Sequence, residues 1–321
     1  MNTCRSLSDA IRATFLLSAL LCLLASWGWG EDPPQPQAAR SRSEIEAVLA
    51  KAPKGASQAS PKPLTILLLA DVKDHGENEH GYPLWQERWA RLLGGSEKWG
   101  RGPTGLYGQT ASGQTEVPGA AGVKVVTADS WPRAEQFGAA DVIVAFCYLK
   151  WDPGRAGQLR EFLGRGKGLV LIHSATWTMP TPSAEVMEIT GVGGFQYFRH
   201  GPIRLRIEAP DSPICRGLPR LIEFVDETYW PATPEPDSPG FAVLASSEER
   251  IKPDAEPVRA QVMFWTYMKG AGRVFGCVPG HYTWTLDDPY LRILLLRGVA
   301  WAAGQNPYRF DSLALSGARV E

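Results

Sequence analysis

The sequence has no cluster of basic residues. Its 33 Lys and Arg residues are balanced by 34 Asp and Glu residues, which gives a formal net charge of −1. Proteins that bind nucleic acid or an anionic membrane surface usually carry a concentrated positive patch. Neither partner is therefore expected.

Cysteine is also scarce, and two of the five cysteines lie within the first 30 residues. The other three, Cys147, Cys215 and Cys277, show no paired spacing, so the sequence does not demand a disulfide framework. Cys147 and Cys277 fall in apolar runs, which predicts that both are buried as small hydrophobic side chains.

Two motifs of familiar hydrolases are missing. The chain contains neither the G-x-S-x-G elbow of a serine hydrolase nor the H-E-x-x-H helix of a zinc protease. Ser174, in the turn-like stretch LIHSATW, is only a minor candidate nucleophile, because no Ser–His–Asp spacing accompanies it.

The N-terminal apolar run is too short for a comfortable membrane span. TFLLSALLCLLA follows Arg5 and Arg12 and precedes small residues and then Glu31. This order is typical of a secretory signal peptide over residues 1–30. The expected location is secreted or periplasmic, with no stable membrane span after cleavage, and a retained anchor is the minority interpretation.

The remaining chain divides by composition. Residues 31–63 are rich in Pro, Ala, Ser and Gln, which predicts a flexible linker around a helix-like patch at 44–51. One domain is expected over 64–309, followed by a C-terminal tail at 310–321. The stretch 94–122 is predicted to be a surface insertion, with a lid as the alternative.

Apolar strands and helical segments alternate within the domain. Strands are predicted at 64–70, 123–129, 140–147 and 168–174, with helices at 82–93 and 153–166. This alternation is typical of a parallel sheet covered by helices on both faces. After residue 200 the predicted strands are shorter, and a last helix is predicted at 288–304, capped by Asp287 or Asp288.

The chain contains only five histidines, and four of them follow predicted strands. His75 and His80 come after the first strand, His173 ends the fourth, and His281 follows a late strand. Ligands of parallel α/β sheets bind at the carboxyl ends of the strands, so these side chains are predicted to share a pocket. Taken singly, each histidine is also compatible with an ordinary surface or core position.

A strand reading FVDETYW adds Asp226, Glu227 and Tyr229. Adjacent strand residues point to opposite faces, so only one of the two carboxylates is expected to enter a cleft. Imidazoles beside a carboxylate suit acid–base chemistry or a divalent metal such as Zn²⁺, and the sequence leaves both open. Aromatic residues such as Tyr229 and Trp284 near these motifs suit a carbohydrate ligand.

Six stretches together resemble the ThuA-like (trehalose utilisation) family, from about Leu64 to Arg309. They are KDHGENEHGYPLW, GKGLVLIHSATW, YFRHGP, DSPICRGLP, FVDETYW and GRVFGCVPGHYTWTLDDPYLRILLLRGVAWAAG. The resemblance implies the class I glutamine amidotransferase-like superfamily and a flavodoxin-like three-layer α/β/α sandwich with a mainly parallel central sheet. Amidotransferases carry a cysteine where this chain has His173-Ser174, so glutamine hydrolysis is not expected.

The resemblance also implies a sugar-related role and a set of site residues. The leading hypothesis is processing of a disaccharide or keto-sugar derivative by acid–base chemistry. A non-catalytic carbohydrate-binding or scaffold domain and a metal-dependent hydrolase are the alternatives, and a homo-oligomer is left open. The expected catalytic residues are His173, Asp226, Glu227 and His281, and the expected substrate-binding residues are His75, His80, Tyr229, Trp284, Arg199 and His200.

Overall fold

The computed structural model describes residues 34–53, 62–108 and 115–321, and Pro36–Glu321 form one compact unit. The predicted signal peptide lies outside the described residues. The central sheet has nine strands: β1 (Leu64–Leu69), β2 (Val123–Ala128), β3 (Val142–Ala145), β4 (Gly168–Ile172), β5 (Phe195–Ile207), β6 (Leu221–Ala232), β7 (Phe241–Lys252), β8 (Ala255–Lys269) and β9 (Gly272–Cys277).

Helices cover the faces of the sheet and join its parallel strands. They are α1 (Arg42–Leu49), α2 (Tyr82–Gly94), α3 (Ser96–Trp99), α4 (Ala134–Ala139), α5 (Pro153–Gly164), α6 (Ala184–Thr190) and α7 (Pro289–Ala302), with 3₁₀ turns at His173–Thr176 and Pro307–Leu313. The carboxylate of Asp288 caps α7 by accepting the backbone N–H of Tyr290 at 2.9 Å. Of the two residues predicted as the cap, Asp287 and Asp288, the structure has Asp288 in this position.

The strand order is β2-β1-β3-β4-β9-β8-β7-β5-β6. β2, β1, β3, β4 and β9 pair in parallel, in the order 2-1-3-4-5 of flavodoxin-like sheets, whereas the remaining pairs are antiparallel. β3 and β4 are buried at every residue, because helices lie on both faces of the parallel half. The predicted fold class is confirmed.

The segment predicted to be a flexible linker is partly packed. α1 buries Ile45 and Val48, and Arg40 pairs with Val320 in a parallel bridge. Burying one such aliphatic side chain contributes about 1.5–3 kcal/mol. The segment predicted to be a C-terminal tail is also packed, since Phe310 is fully buried. In both segments apolar side chains are buried although the linker has the composition of a flexible chain.

The 94–122 stretch is anchored in the part that the structure describes. Backbone N–H groups of Leu106 and Tyr107 donate to the buried Asp287 carboxylate at 2.6 and 2.8 Å. Gly95 and Gly119 pack backbone to backbone at positive φ, where a Cβ would clash. The segment is thus attached to the turn before α7, which its glycine-rich composition did not predict.

Cys147, Cys215 and Cys277 are free and buried, as predicted for the first and third. None of the helices in the described residues is both long enough and apolar enough to cross a membrane.

Candidate functional site

Four buried side chains from four different segments meet at the carboxyl edge of the parallel strands. His80 follows β1, His173 follows β4, His281 follows β9, and Glu227 comes from β6. One potential ligand atom from each lies within 4.8 Å of those of the others. β6 is the last strand in the sheet order, so this convergence requires the antiparallel half to curl back over the parallel half.

His173 is held rigidly with one ring nitrogen facing this cluster. It adopts φ = +49°, which is uncommon for a residue with a side chain, in the turn that ends β4. Nδ1 lies 2.7 Å from the carbonyl oxygen of Val278. A carbonyl can only accept, so Nδ1 carries the proton, and Nε2 faces His80 Nε2 at 3.1 Å and the Tyr229 hydroxyl at 2.8 Å.

His80 resembles His173 in its backbone conformation and in the oxygen that faces its Nδ1. It also has a positive φ, +41°, and its Nδ1 lies 2.8 Å from the Asp74 carboxylate. Its backbone N–H donates to the carbonyl of His281 at 2.8 Å, which ties the β1 loop to the β9 loop. Burial lowers the pKa of His80 to about 3, against the opposing effect of Asp74, so the ring is neutral near pH 7.

His281 lies between two carboxylates. Nδ1 is 2.9 Å from Glu227 Oε2, and Nε2 is 3.6 Å from Glu79 Oε1. Burial alone would lower the pKa of His281, but Glu227 and Glu79 raise it to about 9. Reciprocally, the close approach of His281 is the main reason that the pKa of Glu79 falls to about 2.

The two oxygens of Glu227 face different surroundings. Oε2 points inward, 3.1 Å from His173 Nε2 and 3.2 Å from the Tyr229 hydroxyl. Oε1 lies 3.6 Å from Nε2 of His200, whose side chain is 37% exposed. Burial opposes ionisation of Glu227, yet contacts with His173 and His281 hold its pKa well below the usual range.

Asp226 points away from the cluster, as strand alternation requires. Its Oδ1 accepts the backbone N–H groups of Gly280 and His281, both at 3.0 Å, and its Oδ2 accepts the hydroxyl of Thr285. Asp226 is thus fully engaged in holding the loop after β9, and only Glu227 faces the cluster.

Partly exposed side chains form the rim. The rings of His75 and His80 lie 3.7 Å apart, and the ring of His200 lies 4.6 Å from that of His281. Phe198 is 49% exposed and lies on the same strand face as His200. The rim therefore combines imidazoles with an exposed aromatic ring.

Two predicted substrate-binding residues lie outside this cluster. Arg199 donates to both oxygens of Glu249 at 2.6 and 2.8 Å, because it alternates with His200 along β5 and faces the other way. Trp284 stacks on Tyr282 at 4.2 Å and donates its indole N–H to the carbonyl of Val225, so it supports the loop after β9.

Sequence reasoning missed three contributors. Asp74 contacts both His75 (2.9 Å) and His80, Glu79 faces His281, and the Tyr82 hydroxyl lies 2.6 Å from both His80 Nδ1 and the Ser174 hydroxyl. Partial burial opposes ionisation of Asp74, but these imidazoles hold its pKa well below the usual range. The acidic residues around the two histidines were the available signal, although a loop sequence does not give their orientation.

Together, the fold and the site define a flavodoxin-like α/β protein with a histidine–carboxylate centre at the carboxyl edge of its sheet. The family model of ThuA, described as trehalose utilisation, matches residues 115–302. The chain belongs to the ThuA family, which associates it with sugar handling. A comparison with curated proteins finds no match.

Solved structures of ThuA-like proteins share the fold. One from Bacteroides uniformis is 18% identical with a TM-score of 0.54, over 77% of this chain and 96% of that chain. Another, from Parabacteroides merdae, is 18% identical with a TM-score of 0.50, over 76% of this chain and 91% of that chain. At this level of identity the likeness establishes the fold alone.

Proposed function

We propose that this chain processes a disaccharide or a keto-sugar derivative at the histidine–carboxylate centre, by proton transfer at Glu227. The observation that carries the proposal is the position of Glu227: its side chain is buried, and one of its oxygens faces the partly exposed rim. Membership of the trehalose utilisation family supports the choice of a sugar as ligand.

In this proposal Oε1 of Glu227 is the base. It removes a proton from a sugar hydroxyl, or from a carbon next to a sugar carbonyl, and His200 beside it contacts the same part of the ligand. Oε2 already accepts the Tyr229 hydroxyl at 3.2 Å and lies 2.9 Å from His281 Nδ1, so the carboxylate is fixed in orientation before substrate arrives.

His281 and Tyr229, which lie near Oε2 of Glu227, polarise the sugar oxygen at which the reaction takes place. In the metal-free chain, the raised pKa of His281 makes it an imidazolium near neutral pH. Burial and the nearby Glu227 raise the pKa of Tyr229 well above its ordinary value, so its hydroxyl keeps a proton to donate. A carboxylate base opposite such donors is the arrangement that enolisation of a keto-sugar needs.

The aromatic rim supports a sugar rather than a small charged ligand. The ring of Phe198 lies 6.1 Å from that of Trp177 and 6.0 Å from that of His200, next to the cluster. Flat aromatic faces pack against the C–H patches of a sugar ring, while the imidazoles bind its hydroxyls.

The proposal includes export from the cytoplasm, motivated by the leader-like residues 1–30. Mass spectrometry of the N-terminus of the protein recovered from its native cell tests this part. A mature chain beginning near Glu31 in the exported fraction supports it, whereas an unprocessed chain in the cytosol contradicts it.

The test of the chemistry is NMR in D₂O with trehalose, other disaccharides and their keto derivatives. The wild-type chain is expected to convert one of these sugars, or to introduce deuterium next to a carbonyl. Glu227→Gln should lower that rate by at least about 100-fold, the scale of a positioned acid–base group, while sugar binding persists.

Glu77→Gln is the matched control, because Glu77 lies exposed in the same loop as His75 and His80. It should retain wild-type turnover. Full turnover by Glu227→Gln would refute the role of Glu227. Saturable sugar binding with no product from any sugar would favour a non-catalytic binding domain.

A further inference from the structure

We propose that His80, His173, His281 and Glu227 bind one divalent metal ion, and that Zn²⁺ is the ion that best suits this donor set. Three imidazole nitrogens and one carboxylate oxygen are the ligand types that Zn²⁺ takes in proteins. The proposal rests on three geometric observations.

The first observation is the approach of two ring nitrogens. His80 Nε2 and His173 Nε2 lie 3.1 Å apart. His173 carries its proton on Nδ1, where it donates to Val278, and Nδ1 of His80 faces the Asp74 carboxylate. Both Nε2 atoms therefore present lone pairs to each other, an arrangement that a shared cation stabilises.

The second observation is that each imidazole has an oxygen on the side away from the cluster. His80 faces Asp74 at 2.8 Å, His173 faces the Val278 carbonyl at 2.7 Å, and Nε2 of His281 faces Glu79 at 3.6 Å. Metal-ligating histidines almost always donate their second N–H to such a carboxylate or carbonyl, which fixes the tautomer and aims the other nitrogen at the ion.

The third observation concerns His281, which is 3% exposed. Neither of its ring nitrogens forms a hydrogen bond of acceptable geometry within the part of the chain that the structure describes, although Nδ1 is 2.9 Å from Glu227 Oε2. The nitrogen and the oxygen are close but misaligned for a shared proton. Two ligands that converge on one ion have this relationship.

The distances match the expected coordination geometry. Four ligands placed tetrahedrally about 2.0–2.1 Å from Zn²⁺ are about 3.3 Å from one another. Three of the six separations are close to this value, at 3.1 Å for His80 with His173, 3.1 Å for His173 with Glu227, and 2.9 Å for Glu227 with His281, and all six are within 4.8 Å. Small outward shifts of the side chains would accommodate the ion.

The inference deepens the proposed function and rests on it only for the identity of the substrate. The ion would bind Glu227 through Oε2, which leaves Oε1 to act as the base. By taking a sugar oxygen as a fifth ligand, the ion would polarise that oxygen as a Lewis acid, in place of the proton on His281. Metal binding itself is measurable without any sugar.

A second group of side chains offers a rival location. Asp74, His75 and His80 also lie close enough to hold an ion, but Asp74 and His75 are partly exposed. In that arrangement His80 would have to bind through Nδ1, the nitrogen that lies 2.8 Å from Asp74, and His173 would contribute nothing. Substitution of His75 and His173 therefore separates the two locations.

The experiment uses the full chain after dialysis against a chelator. Isothermal titration with Zn²⁺ should give one ion per chain, and Co²⁺ should give visible absorption of a strength typical of tetrahedral coordination. Glu227→Gln and His173→Ala should each weaken binding by at least about 100-fold. Asp74→Ala should weaken it by about 10–100-fold, as expected for an outer residue that positions His80.

His75→Ala and His200→Ala are the matched controls, since both imidazoles lie at the rim and neither belongs to the proposed set. They should keep wild-type Zn²⁺ affinity. Circular dichroism of each variant separates loss of a ligand from failure to fold. If His173→Ala does not fold, Glu227→Gln, which preserves shape, provides the decisive measurement.

Three outcomes would overturn the inference: no Zn²⁺ or Co²⁺ binding by the wild-type chain, unchanged binding by folded Glu227→Gln, or loss of binding in His75→Ala but not in His173→Ala. Sugar turnover by the metal-free chain, together with no ion binding, would refute the metal site and leave the proposed function intact. Tight ion binding without any sugar binding would support the metal site and refute the proposed function.

Discussion

The Asp226 carboxylate accepts the backbone N–H of His281 at 3.0 Å, while the side chain of the next residue, Glu227, approaches the imidazole of the same histidine at 2.9 Å. Two adjacent residues of β6 thus fix both the backbone and the ring of His281. Strand alternation makes this division possible, because it sends one carboxylate under the loop and the other into the cluster.

Substitution of Asp226 by Ala is expected to destabilise the chain. The backbone N–H groups of Gly280 and His281 would lose their acceptor in a buried place, at a cost of about 1–3 kcal/mol for each group left unpaired. Urea denaturation measures the effect. Asp226→Asn, which keeps one acceptor oxygen, should lose less stability, and an Ala variant as stable as the wild type would contradict this assignment.

Phe198→Ala is expected to weaken sugar binding by about two- to tenfold, because an aromatic contact contributes about 0.5–1.5 kcal/mol. Phe198 is 49% exposed, so the fold should be unaffected. Calorimetric titration with the processed sugar gives the Kd. Val258→Ala is the control, an exposed apolar residue on β8 that should leave the Kd unchanged. Equal affinities of the wild type, Phe198→Ala and Val258→Ala would show that Phe198 does not contact the sugar.

Asp287→Asn is expected to reduce the free energy of unfolding by about 3–5 kcal/mol. Asp287 and Arg292 are fully buried and paired at 2.7 Å, so the substitution leaves a buried guanidinium without its counter-charge. The same carboxylate holds Leu106 and Tyr107, so limited proteolysis within 94–122 should also become faster.

The control for this prediction is Glu248→Gln. Its ion pair with Arg206 has a similar distance, 2.6 Å, but both side chains are about half exposed, so the change should be within about 1 kcal/mol. If the two substitutions cost the same, burial would not be the reason for the effect at Asp287.

Asp141 should contribute stability that depends on pH. Burial opposes its ionisation, but hydrogen bonds from Lys167 and from the backbone N–H of Thr65 hold its pKa below the ordinary value. A carboxyl with a lowered pKa in the folded state stabilises that state above the unfolded pKa of about 3.9, and this contribution disappears as the pH falls through the folded value.

The difference in Tm between the wild type and Asp141→Asn should therefore be largest above about pH 4 and shrink at lower pH. Thermal unfolding followed by circular dichroism at a series of pH values measures it. A difference that stays constant down to the acid limit would mean that ionisation of Asp141 does not stabilise the fold.

Much of the fold could be predicted from local pattern. The strand predicted at 64–70 is β1 at Leu64–Leu69, and the helix predicted at 82–93 is α2 at Tyr82–Gly94, because a short continuous apolar run favours a buried strand and apolar residues at helical spacing favour a helix. The packing of α1 was not predictable. Its surroundings are polar in composition, and the residue Arg40 just before it pairs with Val320 at the other end of the chain.

The candidate site could be predicted in part. Strand ends placed His80, His173 and His281 at one edge of the sheet, and the structure brings them together. Arg199 and Trp284 were expected to join them and do not, because their orientation depends on strand alternation and on the turn after β9. Asp74, Glu79 and Tyr82 were missed because the sequence of the loop after β1 does not give the orientation of the side chains in it or at its end.

The sequence by itself determined the alternation of strands and helices, the family, and which histidines follow which strands, since these depend on neighbours along the chain. Only the tertiary structure decided that Glu227, from the last strand of the sheet, enters the cluster while Asp226 supports the loop beneath it. That choice depends on how the antiparallel half curls over the parallel half. Such long-range geometry is set by the packing of the whole core and is not encoded in any short stretch of residues.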